Sequence, residues 1–161
     1  MNDNGILVNL QSAPSPAQLV LDLIRNPKLR QDEGTVIEKR QIFLLDQLTR
    51  ISPHIDADVK HEAMKLALEL KETARGCAEN SLVVLGFLLL LSSYGLFPHS
   101  NFNEDEVLKL FEVVAHHKES VELFWTLGFE DKISGMFVKD VLFRVIIHIF
   151  SIPYAYCCIL K

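Results

Sequence analysis

The chain has 161 residues, of which 49% are apolar and 23% charged, with a formal net charge of −5. This length suits one ordinary domain, this composition excludes a disordered chain, and the acidic balance lacks the basic face that nucleic-acid binding needs. Three cysteines form no disulfide framework and no signal peptide opens the chain, so we expect an intracellular protein.

The first predicted elements are a flexible lead and a short helix. Residues 1–14 are expected to form the lead, because they run into the turn-like Ala13-Pro14-Ser15-Pro16. Ser15 is a good N-cap and Pro16 suits the first helical position, so a helix begins here. Asn26-Pro27 is predicted to end it.

Two amphipathic helices are predicted next. Thr35 and Glu38 have the spacing of a capping box, which predicts the start of a second helix that stops at Ser52 before a proline. A third helix is expected to begin near Asp56 or Asp58 and to end at Gly76. Its apolar residues recur at spacings of three and four, namely Val59, Ala63, Leu66, Ala67, Leu70 and Ala74.

The fourth predicted helix, from Ser81 to about Tyr94, has no charged residue. An amphipathic surface helix cannot have this composition, whereas a helix buried on all sides can. Residues 82–97 would span about 24 Å as a helix, which is short of the roughly 30 Å of a bilayer core. We therefore expect a central core helix, in which Gly86 lets a neighbouring helix approach closely.

The clearest helix start is at residues 102–107. Asn103 is predicted to cap the helix, Glu106 takes the third position, and Phe102 can contact Val107 as a hydrophobic staple. Another short helix is predicted before Gly128. Because no period-two strand pattern occurs, the sequence predicts an all-α, compact multi-helix domain of short helices joined by tight Gly, Pro and Asn turns, with a central all-apolar helix.

No group of residues predicts catalysis, a bound cofactor or a metal site. His116 and His117 are adjacent, so on a helix their side chains would point about 100° apart, and we expect solvated helix-end histidines. Cys77 is expected to be a small-residue packing position. No glycine elbow accompanies the candidate nucleophiles Ser81, Ser92, Ser93 and Ser120. The sequence therefore predicts a non-enzymatic protein.

Trp125 has two possible roles. Tryptophan is over-represented among binding hot spots. However, Trp125 shares a predicted apolar stripe with Val121 and Phe124, and we expect it to pack in the core.

Six phrases between Ser15 and about Leu142 carry a resemblance to a known family. They are SPAQLVLD (15–22), LLDQLTRISPHID (44–56), EAMKLALELK (62–71), AENSLVVLGFLLLLSSYGL (78–96), FNEDEVLKLFEVVAHHK (102–118) and VELFWTLGFEDKISG (121–135). In this order they resemble the FRIGIDA-like family of flowering plants. The resemblance implies a nuclear helical scaffold for transcription factors or coiled-coil regulators, which acts in flowering-time control. It implies no catalytic residues and no cofactors.

The chain departs from the family pattern at two points. Trp125 stands where relatives commonly have a polar or charged residue, and an apolar tail replaces the family's further helices. We therefore expect a flexible lead over residues 1–14, a partial FRIGIDA-like domain over residues 15–142 and a divergent tail over residues 143–161. Apolar surface left uncovered by the missing helices is expected to make the isolated product self-associate.

Two alternatives to the scaffold role stay open from the sequence. The first is a helical adaptor unrelated to flowering. The second is a tail-anchored membrane protein, because residues 141–160 hold eleven Val, Leu, Ile or Phe residues and have a marginal membrane-insertion energy. In that case Cys157 and Cys158 are candidate lipidation sites. No nuclear import signal is visible, so the nuclear location is implied by the resemblance only.

Overall fold

The computed structural model describes residues 3–26, 37–76, 80–97 and 102–134, together with Phe143. Within these ranges the chain forms seven α-helices and one 3-10 helix, and no strand. The predicted all-α class is therefore confirmed. The chain divides into two compact units, Met1–Ser100 and Asn101–Lys161.

The N-terminal segment is helical, so the expected flexible lead is wrong for most of its length. α1 spans Asp3–Ser12 and buries Ile6 and Leu10, which are 7% and 1% exposed. These two side chains lie four residues apart on one face of the helix, and α1 packs against α2. A ten-residue helix is marginal by itself in water, so α1 depends on this contact and its local sequence gives little signal.

The next two helices, α2 and α3, end where the sequence predicts, but α3 begins later than predicted. α2 spans Pro16–Arg25 with Ser15 as its N-cap, and α3 spans Lys39–Ile51 with Ser52 as its C-cap. The N-cap of α3 is Glu38, which had been expected at the third helical position. The Glu38 backbone N–H donates to Gln41 Oε1 at 2.8 Å, so the capping box is shifted by three residues. Thr35, the predicted cap, lies outside the described residues.

An ion pair links α2 to α4, which spans Ala57–Gly76 as predicted. Arg25 Nη1 lies 2.6 Å from Glu62 Oε2, and Arg25 Nη2 donates to the Glu62 carbonyl at 2.9 Å. Lys65 Nζ donates to the other carboxylate oxygen at 2.8 Å. Hydrogen bonds from Lys65 and then Arg25 lower the pKa of Glu62 from 4.5 to about 2.

The centre of the first unit is α5, which spans Ser81–Ser93 and is buried along most of its length. Every side chain from Val83 to Leu91 is excluded from solvent, and α3 and α4 pack against it. This confirms the predicted core helix. At its end Gly95 adopts φ +60°, and the Leu96 N–H donates to the Leu91 carbonyl at 2.9 Å in a Schellman motif.

Two contacts fix the position of α5 within the first unit. The buried Tyr94 hydroxyl donates to the Ala17 carbonyl of α2 at 2.7 Å, and burial raises the pKa of this phenol. Gly86 faces Ile37, which is fully buried just before the cap of α3. A β-carbon at residue 86 would overlap Ile37 Cδ1, so the expected close approach exists, although the neighbour is this side chain and not a helix.

The second unit contains α6, which spans Glu104–Val114, α7, which spans Ser120–Thr126, and a 3-10 helix over Phe129–Ser134. Asn103 Oδ1 accepts from the Asp105 N–H at 2.9 Å, as predicted for the cap. Three rings form the core, with centroids 5.4–5.8 Å apart: Phe111, Phe124 and Phe129. Lys132 Nζ lies 2.9 Å from Glu104 Oε2 and ties the 3-10 helix to the start of α6.

Substitution at Gly86 tests the close approach to Ile37. Overpacking costs about 1–3 kcal/mol, and the better helix propensity of alanine offsets up to about 1 kcal/mol of this. We expect Gly86→Ala to lower the free energy of unfolding by about 1 kcal/mol in urea titrations. Ile37→Val removes the overlapping Cδ1 atom, so in that background Gly86→Ala should cost nothing. An equal cost in both backgrounds would contradict the contact.

The pH dependence of stability tests the Glu62 ion pairs. The folded pKa is lowered, so the stabilisation is fully present above pH 4.5 and is lost as the pH falls through about 2. We expect Glu62→Gln to lower the melting temperature at neutral pH, and this deficit to shrink as the pH falls from 4.5 to 2. The control is Glu72→Gln, which affects only a surface pair with Arg75 within α4. A loss of melting temperature in Glu62→Gln that does not depend on pH would contradict the role of these ion pairs.

Candidate functional site

A groove opens between the first three helices of the first unit, with a volume of about 350 Å³. Its lining residues on each helix are adjacent or three to four positions apart, so each helix presents one face to it. α1 contributes Ile6, Asn9 and Leu10, α2 contributes Leu19 and Leu23, and α3 contributes Arg40, Gln41 and Leu44. We call this feature the α1–α3 groove.

The α1–α3 groove has an apolar floor and a polar mouth. Ile6, Leu10 and Leu44 are buried at the floor, whereas Leu19 and Leu23 are partly exposed. The exposed polar side chains at the mouth are Asn9 and Arg40. An apolar centre within a polar rim is the anatomy of a protein-binding surface.

The charge at the mouth is positive. Arg40 lines the groove and shares the first turn of α3 with Lys39. No acidic residue is present in that turn, where a cation is unfavourable by about 0.3–1 kcal/mol. Glu38 places one carboxylate at the same helix end as the cap. Neither Lys39 nor Arg40 has a hydrogen-bond or ion-pair partner within the described ranges.

The predicted helix-end histidines lie beyond the helix, so one expectation about them is wrong. α6 ends at Val114, and His116 and His117 follow in a turn. The two rings lie next to each other, with centroids 4.1 Å apart. Adjacent residues on a helix would instead point their rings about 100° apart. Where the structure describes the chain, no three His, Cys, Asp or Glu side chains are grouped to hold a metal ion.

The serines considered as candidate nucleophiles lie at helix ends, where one of them has a structural hydrogen bond. Ser120 is fully buried and its hydroxyl donates to the Val114 carbonyl, which joins α7 to the end of α6. Ser92 and Ser93 lie in the last turn of the central helix α5, with hydroxyl oxygens that have no partner in the described part of the chain. Cys77 lies outside the described residues.

The expectation that Trp125 packs in the core is wrong, because 45% of it is exposed. α7 buries one stripe at spacings of three, four and seven, made of Ser120, Leu123, Phe124 and Leu127. Trp125 lies about 100° around the helix from Phe124, and the two rings meet edge to face with centroids 6.0 Å apart. The buried stripe was hard to recognise because it begins with a serine.

The α1–α3 groove was missed from the sequence, although one signal for it exists. α2 buries Ala17, Val20, Leu21 and Ile24 and also carries Leu19 and Leu23, so its apolar surface is wider than one core-facing stripe. A second apolar stripe implies a second packing surface. α1 covers part of it, and the uncovered remainder forms the wall of the groove.

None of the helices in the described ranges combines the length and hydropathy needed to cross a membrane. The tail-anchor hypothesis concerns residues 141–160, of which only Phe143 is described.

The fold and the groove together define a class, namely an all-α domain with an apolar groove that has Arg40 and Asn9 at its mouth. Within that class, the chain belongs to the FRIGIDA-like family. A family model described as "Frigida-like protein" matches residues 3–157, which confirms the resemblance and extends it beyond Ser15 and Leu142 in both directions.

Two relatives from Arabidopsis thaliana illustrate the relationship. FRIGIDA-like protein 5 is 31% identical over 139 residues, which cover 83% of this chain and 14% of the relative. FRIGIDA-like protein 3 is 29% identical over 150 residues, which cover 78% of this chain and 26% of the relative. The chain thus spans only a minor part of either relative. No solved structure matches the chain.

A pair of substitutions in α7 tests the exposure of Trp125. Phe124 is 2% exposed, so Phe124→Ala should lower the free energy of unfolding by about 3–5 kcal/mol. Trp125→Ala removes a half-exposed ring and should cost about 1 kcal/mol or less. Urea titrations of both variants measure the difference. Equal losses would show that Trp125 packs in the core after all.

Proposed function

We propose that this chain is a non-catalytic interaction domain of a nuclear scaffold that takes part in flowering-time control. Membership of the FRIGIDA-like family supports the biological role. The observation that carries the interaction function is the α1–α3 groove, because its floor is apolar and open to a partner while its mouth is polar. The partners that the family resemblance implies are transcription factors or coiled-coil regulators.

The groove suits a segment of another protein better than a substrate. A pocket for a small molecule typically has a few convergent polar groups that orient the ligand. Here the side-chain oxygen Oε1 of Gln41 already accepts from the Glu38 backbone N–H, and the other polar side chains of the lining, Asn9 and Arg40, are at the mouth. Apolar anchors from a partner would fill the floor, and its polar residues would contact the rim.

Complementation of a knock-out in the plant of origin tests this function. The groove variant is Leu19→Glu, which places a carboxylate at the partly exposed wall of the groove. Its matched control is Leu68→Glu, because Leu68 is 50% exposed on α4 and does not line the groove. We expect the knock-out to change the leaf number at flowering, and Leu68→Glu but not Leu19→Glu to restore it.

Three results would overturn parts of the proposal separately. A knock-out with unchanged flowering time would point to an adaptor unrelated to flowering. Full rescue by Leu19→Glu, with a stable protein, would remove the groove from the function. A fluorescent fusion found in the membrane fraction rather than the nucleus would favour the tail anchor.

A further inference from the structure

We infer that the α1–α3 groove binds an amphipathic helix of a partner protein in which Asp or Glu residues flank the apolar anchors. This inference deepens the proposed interaction function and rests on it. Two features of the groove carry it: the dimensions of the apolar floor and the positive charge of Arg40 at the mouth.

The dimensions favour helix anchors over an extended ligand. A volume of about 350 Å³ lies near the lower end of the roughly 300–1,000 Å³ of small-molecule pockets, so it holds a few large apolar side chains. The floor is confined between three helices, with Ile6, Leu10 and Leu44 buried beneath it and Leu19 and Leu23 at its wall. Two leucine-type anchors spaced three or four residues apart on one helix face match such a compact floor.

The charge selects an acidic partner. Lys39 and Arg40 stand at the N-terminal end of α3, where the helix dipole adds to their positive charge, and the one carboxylate of Glu38 belongs to the cap. A carboxylate on the bound helix would therefore meet Arg40 at the mouth, with Lys39 next to it in the same helical turn, and neither cation has an ion-pair partner in the described ranges. A lysine at the same place would meet like charge, so the rim also discriminates against basic helices.

A second copy of the chain is a poorer occupant by the same physical reasoning. The helix of a second copy that would suit the groove is α6, because it has an apolar face and begins with the acidic residues Glu104, Asp105 and Glu106. The apolar face of α6 is already buried in its own unit, through Val107, Leu108, Phe111 and Val114. Using α6 as a ligand would require it to leave that core, whereas a partner's free amphipathic helix costs no such loss.

The test uses the full chain and two labelled synthetic helices of about 18 residues, long enough for a stable helix. Both carry leucines at spacings of three and four; one has Glu at the flanking positions and its twin has Lys. In fluorescence anisotropy titrations, we expect the Glu helix to bind about tenfold more tightly than its twin, with a preference that falls as salt rises. Equal binding of the twins would overturn the inference.

Charge reversal at Arg40 tests whether this residue recognises the charge of the bound helix. We expect Arg40→Glu to weaken binding of the Glu helix by about tenfold and to strengthen binding of the Lys helix. Lys60→Glu makes the same charge change on α4, away from the groove, and should leave both affinities unchanged. An equal effect of Lys60→Glu would reduce the preference to overall charge and overturn the assignment to the groove.

The apolar wall of the groove is tested by Leu19→Glu against Leu68→Glu, with thermal unfolding to confirm that both variants fold. Loss of binding of the Glu helix only in Leu19→Glu supports the groove, and equal loss in both variants contradicts it. If sedimentation shows a dimer that Leu19→Glu disperses, a second copy is the occupant and the inference fails. If neither helix binds but Leu19→Glu still fails to rescue the plant, the inference falls and the proposed function stands.

Discussion

The burial of α5 is the constraint on which the first unit depends. No charged residue interrupts it, and each side chain from Val83 to Leu91 is excluded from water. Full burial of a leucine or phenylalanine stabilises by about 1.5–3 kcal/mol, which is gained only if other helices cover every side of α5. α3 and α4 pack against it directly, and the hydrogen bond from Tyr94 to the Ala17 carbonyl attaches α2.

This arrangement also produces the candidate site. α2 uses its first apolar stripe in the core, so Leu19 and Leu23 are left for a second surface. α1 packs there without filling the space, and the start of α3 brings Arg40 to the edge. The groove is therefore a by-product of how α1 and α3 pack on either side of α2, and its rim carries the charge that α3 leaves unbalanced at its own N-terminus.

In the second unit, a helix was predicted correctly but the wrong face of it was predicted to be buried. The Asn103 cap follows from the capping pattern that the sequence displays, whereas the three-ring core of Phe111, Phe124 and Phe129 is seen only in the structure. The orientation of Trp125 does not follow from the sequence either, because a seven-residue helix has too few apolar positions to define its stripe uniquely. Burial of Ser120 through its bond to the Val114 carbonyl turned the helix so that the tryptophan faces water.

The sequence by itself determined the all-α class, most helix ends and the buried state of α5, because capping, proline and glycine stops and apolar spacing act within a few residues. Only the tertiary structure decided that Asp3–Ser12 is a helix, that Glu38 rather than Thr35 caps α3, and where the groove lies. A short helix is stable only when it packs against another element, and a groove depends on how far apart the helices that line it lie. Neither property is encoded in one local stretch of chain.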